Sequence, residues 1–295
     1  MIDLHTHSNV SDGDLSPSML IHKAAQLGLT AIALTDHDTI KGVESAKAAS
    51  KEHENFQFIP GIEIIINWEG NKSHNGAPGL GLGGEFHLLG LGINKPSPAF
   101  ITAIDGLFCS RETRNREILD RMHELSIDVT LEDITAFSGG HIIARPHFAA
   151  FLIKRKIVKN IEQAFAQYLG VGKPLYVPKV GLSFEEAVTL IRESGGIPVL
   201  AHPFSLFIAW GRLPDLIKIL KDMGLMGIEA WHPTTKRGSC RRLETLGKSL
   251  GLYITEGSDF HGSLNPDRKL GYSSKGRKIS DAVLEAIPEL AFAGN

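Results

Sequence analysis

Seven short apolar runs divide this chain, and nearly every one reaches a histidine or a carboxylate. Ile2-Asp3-Leu4 leads into His5 and His7, and Ala31 to Thr35 leads into Asp36-His37-Asp38. Phe56 to Ile66 carries Glu63 near its end, and Phe86 to Leu91 contains His87. Ile197 to Ala201 runs into His202, Met226 to Trp231 into His232, and Leu252 to Thr255 towards Asp259 and His261. Continuous apolar runs of this length suit strands buried on both faces, as in a parallel sheet. A fold that collects strand ends on one face would collect these polar side chains with them.

Helical stretches separate many of the runs. Ser16-Pro17 followed by MLIHKAAQLG reads as a cap, a first-turn proline and a terminator at Gly28. Ser183 to Glu193 has the spacing of a capping box, Ser183 with Glu186. Pro214 to Met223 and Ser239 to Leu250 repeat the helical pattern. Such alternation predicts an α/β fold, either open and doubly wound or closed into a barrel. Between Pro96 and Pro178 the alternation stops. Ser110 to Leu125 is strongly amphipathic, and further helix starts occur at Thr130 and Asn160. The expected organisation is an α/β unit over 1–96 and 179–295, interrupted by an all-helical insertion domain over 97–178. Glu69 to Glu85 is rich in Gly and Asn; no Lys-Ser/Thr and no helix follow it, so it reads as a hairpin or lid rather than a phosphate loop.

Bulk properties exclude several function classes. The formal net charge of -2 lacks the basic footprint of a duplex-DNA binder, although a local cationic site for a small anion fits a near-neutral protein. Cys109 and Cys240 form no paired motif, which argues against a disulfide framework or a thiolate zinc site. No apolar run approaches the ~18 residues of a membrane span. The expectation is a soluble cytoplasmic protein with no membrane partner.

The strand-end residues carry the chemistry. His5 and His7 are two apart in an extended segment and point the same way, as do Asp259 and His261. A lone histidine is more often a hydrogen-bonded structural residue, and His22, His53, His74 and His123 are read so. Six histidines (5, 7, 37, 87, 202 and 261), Asp12, Asp259 and Glu63 make a different case. Burying that many polar groups without a metal would leave many of them unsatisfied. Nine candidate ligands exceed the needs of one tetrahedral ion and imply two or three. Imidazole and carboxylate without thiolate suit Mn, Fe or Zn, with Mg a poorer match. Clustered divalent ions activate water and neutralise phosphate oxygens.

HTHSNVSDG, TDHDT, PGIE, FHLLG, AHP and GSDFHG, in this order, resemble the PHP (polymerase and histidinol phosphatase) family over essentially the whole chain. ARPHFA, Ala144 to Ala149, is similar to the branch containing nucleoside 3',5'-bisphosphate phosphatases and 5'-3' exoribonucleases acting on short RNA. The resemblance implies a distorted (β/α)7 barrel with a helical insertion. It also implies a metal-dependent phosphoesterase that removes the 3'-phosphate of nucleoside 3',5'-bisphosphates or acts on short 5'-phosphorylated RNA. Three metal positions follow from it: His5, His7, Glu63 and Asp259; then Glu63 as a bridge with His87 and His202; then Asp12, His37 and His261. The first of these would hold the attacking metal-bound hydroxide. Some members have a histidine where this chain has Asp12, so the third position is expected to lose its metal more readily.

Substrate contacts are expected from Arg145 and His147 in a turn-like RPH, from Lys179 and from His232. Arg can fork onto phosphate oxygens. The structural alternative is that Arg145 and His147 serve a helix end. Arg111 and Arg114 flank the amphipathic helix and are read as solvated. The competing functions are a histidinol-phosphate phosphatase and a non-catalytic metal-binding regulatory module.

Overall fold

The computed structural model describes residues 1–68, 84–138 and 143–291. The chain opens with β1 (Ile2–Asp3), α1 (Pro17–Gln26), β2 (Ala31–Leu34), α2 (Val43–Ser50), β3 (Gln57–Ile65) and β4 (His87–Leu91). Helices α3 (Pro98–Glu124), α4 (Leu131–Ser138), α5 (Arg145–Lys154) and α6 (Ile161–Ala164) follow, with a π turn at Phe165–Leu169. The α/β pattern then resumes with α7 (Phe184–Glu193), β5 (Ile197–Leu200), α8 (Leu213–Asp222), β6 (Gly227–Trp231), α9 (Arg237–Ser249) and β7 (Tyr253–Glu256). The hairpin of β8 (Tyr272–Ser273) and β9 (Arg277–Lys278) and the short helices α10 (Ala282–Glu285) and α11 (Pro288–Ala291) complete the described chain. Most of the glycine-rich stretch expected to form a hairpin or lid lies outside the described residues. No described helix is long and apolar enough to cross a membrane.

Strands β1 to β7 form one sheet in sequential order. Its two edges meet where Thr6 bridges Phe260 and the Asp259 N–H donates to the His5 carbonyl. The sheet is therefore a nearly closed barrel. Gly257 permits this closure: a Cβ there would lie 2.2 Å from the His5 Cβ. The local signals read from the sequence operate as expected. Ser16 accepts from the Met19 N–H at the start of α1, Gly28 has φ +78 after its end, and Ser183 accepts from the Glu186 N–H.

One sequence expectation is corrected. The sheet is not all parallel, because β4 runs antiparallel to both β3 and β5. An apolar run reads the same in either direction, and no described helix lies between β3 and β4 to supply a parallel crossover. The reversal matters for the site. His87 opens β4, so the antiparallel strand brings its first residue to the rim that the other strands reach with their last.

Side-chain alternation divides the barrel. Ile59 and Glu63 share one face of β3, as do Ala31 and Ala33 of β2 with His37 beyond it. Ala31, Ala33, Ile59, Leu89, Leu91, Ile197 and Val199 are buried in one cluster. The same strands thus carry apolar residues low in the barrel and ligand types at its upper rim. Helix α3 joins two cores: Phe100, Ile104 and Leu107 pack against the barrel, while Ile118, Leu119 and Met122 pack with Phe148, Phe151 and Leu152 of α5. Phe100 and Phe148 are fully buried, each contributing roughly 1.5–3 kcal/mol. Between these two apolar ends α3 buries Arg111, Arg114 and Asn115.

Candidate metal centre

All nine candidate ligands meet at the barrel rim. The His5 and His7 Nε2 atoms are 3.1 Å apart, and each lies 3.3 Å from Glu63 Oε2. Asp259 Oδ1 is 3.5 Å from His5 Nε2 and 3.3 Å from His7 Nε2. A tetrahedral ion with ligand bonds near 2.1 Å separates its ligand atoms by about 3.4 Å. His5, His7 and Asp259 have that spacing, and Glu63 meets both histidines at it. Glu63 Oε1 then lies 2.9 Å from both His87 Nδ1 and His202 Nε2. Asp12 faces His261 Nε2 at 3.2 Å and His37 Nε2 at 3.7 Å. The groupings overlap more than the sequence reading anticipates, since His7 also stands with Asp12, His37 and His261, and His37 with Glu63 and His87.

The polar atoms themselves test the fit of metal ions. Glu63 Oε2, Asp12 Oδ1, His7 Nδ1, His37 Nδ1 and His87 Nε2 are buried and make no hydrogen bond. Buried polar groups are normally satisfied, so five such atoms in one cluster call for a cationic ligand. The surrounding carboxylates make the same demand. Burial opposes ionisation of Glu63 and Asp259, yet the imidazoles around them hold both well below the ordinary carboxylate range. Burial also opposes a charged His7, but the adjacent carboxylates of Asp259 and Glu63 push it up to about 10. Burial, with His7 and His87 nearby, takes His37 down to about 3 against the pull of Glu63 and Asp12. The donor set of nitrogens and oxygens without sulfur fits divalent ions of the Mn, Fe or Zn kind.

Residues that the sequence reading passed over hold these ligands in place. Glu229, buried in β6, accepts from His5 Nδ1 at 3.0 Å and from the His202 backbone N–H at 2.8 Å. This fixes the proton on Nδ1 of His5 and leaves its Nε2 lone pair facing the centre. His202 Nδ1 pairs with Ser205 Oγ at 2.7 Å, and His261 Nδ1 donates to the Asp259 carbonyl at 2.8 Å. Asp36 accepts from the hydroxyls of Ser8 and Ser11 and shapes the loop that carries Asp12. Arg268 donates to the Asp259 carboxylate. A charged residue within an apolar run, as in GIEAW, was the available signal for Glu229. His202 and Asp259 adopt positive φ, 26° and 51°, a conformation that costs energy and concentrates at functional sites.

The substrate candidates separate. Arg145 lies at the first turn of α5 with Nη2 3.1 Å from Glu85 Oε1, and Lys179 Nζ is 2.6 Å from the same oxygen. Both line the cleft beside the ligand cluster. His147 does not: its Nδ1 accepts from the Ala144 N–H at 3.0 Å, capping α5, and its ring is buried. The RPH segment is a helix start rather than a turn. His232 is buried with Nε2 3.1 Å from Asp259 Oδ2 and Nδ1 on Thr234. It therefore touches a candidate ligand directly. Arg111 and Arg114 are buried, not solvated, and face the cleft. Their spacing of three on one helix face was legible, but the element that covers that face was not. His22 pairs with His53, and His123 meets the Val129 carbonyl, both away from the site; His74 lies outside the described residues.

A nearly closed α/β barrel with an imidazole–carboxylate cluster at its rim, together with the relatives it matches, identifies a metal-dependent phosphoesterase. The chain belongs to the PHP family, whose domain model matches residues 3–171. It is 33% identical over 259 residues to a 5'-3' exoribonuclease of Haemophilus influenzae, covering 88% of this chain and 89% of that protein. It is 30% identical over 273 residues to a 3',5'-nucleoside bisphosphate phosphatase of Chromobacterium violaceum, covering 92% and 91% respectively. Among solved structures, an amidohydrolase from Chromobacterium violaceum, with bound sulfate and no metal, superposes with a TM-score of 0.80. That pair is 29% identical and covers 100% of this chain and 99% of the other.

Proposed function

We propose that the protein removes the 3'-phosphate from nucleoside 3',5'-bisphosphates, and by the same geometry cleaves short RNA from a phosphorylated 5' end. The observation that carries this reading is the joining of two unlike walls in one cleft. His37 and His87 of the ligand cluster line the same cavity as Arg111, Arg114, Arg145 and Lys179. A substrate with two phosphates has one for each wall. The named activities of the exoribonuclease and the bisphosphate phosphatase relatives support it, as does the sulfate bound by the related structure.

In this reading His5, His7, Glu63 and Asp259 would hold one ion, Glu63 with His87 and His202 a second, and Asp12, His37 and His261 a third. Bound ions of this kind supply an activated water and neutralise charge on the scissile phosphate. The chain's own residues do the rest. Glu229 and the Asp259 carbonyl keep His5 and His261 in the tautomers that present Nε2. His232 and Arg268 hold Asp259 and line the cavity with it. Arg145 and Lys179, at the edge of the helical segment taken here as an insertion over 97–178, orient the remaining phosphate. Histidinol phosphate carries an ammonium, not a second phosphate, at the end remote from its ester, and that end would meet four cations.

Release of inorganic phosphate from adenosine 3',5'-bisphosphate and from histidinol phosphate, and of mononucleotide from a 5'-phosphorylated dinucleotide, by Mn-, Fe- or Zn-loaded protein tests the reading. The first two should be turned over far faster than the third. Release from none of them would refute it and favour a binding module.

A further inference from the structure

The short turn Pro203–Leu206 follows candidate ligand His202 and delivers an aromatic ring to solvent at Phe207. Phe207 is 76% exposed and is the one aromatic among the exposed large hydrophobics of the described residues. Its backbone is left-handed, with φ 50° and ψ 40°. A bulky residue rarely adopts that conformation, and glycine would fill it at lower cost. A side chain both exposed and strained adds little to folding, and such strain concentrates at functional sites. The turn that carries it is firmly held. Ser205 Oγ accepts from His202 Nδ1 at 2.7 Å and donates to the Glu85 carbonyl at 3.0 Å. The Glu85 N–H donates to the Ser205 carbonyl at 3.0 Å, and Leu206 is fully buried. Gly84 packs so closely that a Cβ there would lie 1.8 Å from the Ser205 carbonyl oxygen. The ring is therefore presented by a turn fixed to a candidate metal ligand.

Position supplies the ring's partner. Phe204 and Phe207 line the same cavity as Glu63, His202, Asp259 and His261. The cavity of Arg111 and Arg114 shares His37 and His87 with it but neither phenylalanine. A short RNA with its first nucleotide on the arginine side and its scissile phosphate at the cluster still has its second nucleoside to place. We propose that the turn ending at Phe207 is the subsite for the nucleoside beyond the scissile phosphate, with the exposed Phe207 ring stacking on its base. Every base has a π-face, so the platform favours a base-bearing nucleoside without reading sequence. The subsite deepens the RNA reading of the proposed function and rests on it. A nucleoside 3',5'-bisphosphate has nothing to set there, so Phe207 separates two substrate classes that the barrel rim treats alike. Phe207 also borders the cavity of Phe165 and Tyr176, where it would meet the base of the first nucleoside instead.

The two positions are told apart by comparing the metal-loaded full chain with Phe207→Ala and Phe207→Tyr. The substrates are adenosine 3',5'-bisphosphate, a 5'-phosphorylated adenosine dinucleotide, and the same dinucleotide lacking the base on its second ribose. The wild type should prefer the base-bearing dinucleotide over the abasic one about tenfold in kcat/KM. Phe207→Ala should lose that preference, and Phe207→Tyr, which keeps a ring, should retain it. Both variants should keep the wild-type Tm, because the ring is exposed. A wild type without the preference, or a preference that survives in Phe207→Ala, would overturn the subsite. An equal loss on all three substrates in Phe207→Ala would also overturn it and put the ring under the first base. Turnover of the bisphosphate alongside either result leaves the proposed function standing. If no substrate is turned over, that function falls, and equilibrium binding of the two dinucleotides decides the subsite. Tighter, Phe207-dependent binding of the base-bearing dinucleotide would uphold it, and equal binding would remove it.

Discussion

The two walls of the cleft solve opposite electrostatic problems with the same means. The barrel rim gathers carboxylates and imidazoles whose buried atoms lack partners, so it draws in positive charge. The helical wall gathers guanidinium groups and a lysine with too few carboxylates, so it draws in negative charge. Neither wall is complete by itself. The difference teaches that one cleft can present a cation-seeking face and an anion-seeking face to a single ligand.

The largest effect should come from the rim. Glu63→Ala removes the carboxylate that touches five imidazoles, and should abolish activity and lower bound metal by more than one ion. Elemental analysis showing full metal content would break the bridging assignment. Asp12→Ala should cost one ion only, which the same analysis would read. On the opposite wall, Arg145→Ala should reduce the preference for the bisphosphate over the 3'-monophosphate about a hundredfold, the equivalent of about 2–3 kcal/mol. Equal loss on both substrates would place Arg145 at the scissile phosphate or in the fold. Glu229→Gln keeps the shape but weakens the hold on His5, and should cost about 10- to 100-fold in metal affinity. Metal titration showing wild-type affinity would leave Glu229 a purely structural residue. The smallest effect is expected at His147, which caps α5 and lies outside both walls. His147→Ala should cost about 1 kcal/mol of stability in a denaturant titration and leave KM within a few-fold. A large rise in KM would return His147 to the substrate.

The barrel rim was legible because its signals are local. Strand runs stop where ligands begin, and the two-residue spacing of His5 with His7 settles their direction. The reversed direction of β4 was not legible, since FHLLGL carries no arrow. The helical wall was hidden for a different reason. The amphipathic pattern of α3 separates apolar from polar positions but does not say which polar positions a third element covers. Arg111 and Arg114 are buried by neighbours distant in sequence. Ala144 is a poor cap by composition, so only Pro146 hinted that a helix begins at Arg145.

The barrel seam places the first and last strands against each other. The Ser258 N–H donates to Asp3 across 255 residues, and Asp259 reaches His5 beside it. A ribosome adding roughly 5–20 residues per second needs about 10–50 s to span that interval. Throughout that time the emerging chain carries His5 and His7 without Asp259. The full set of ligands around His5 and His7 therefore assembles only once β7 and the turn after it have been made.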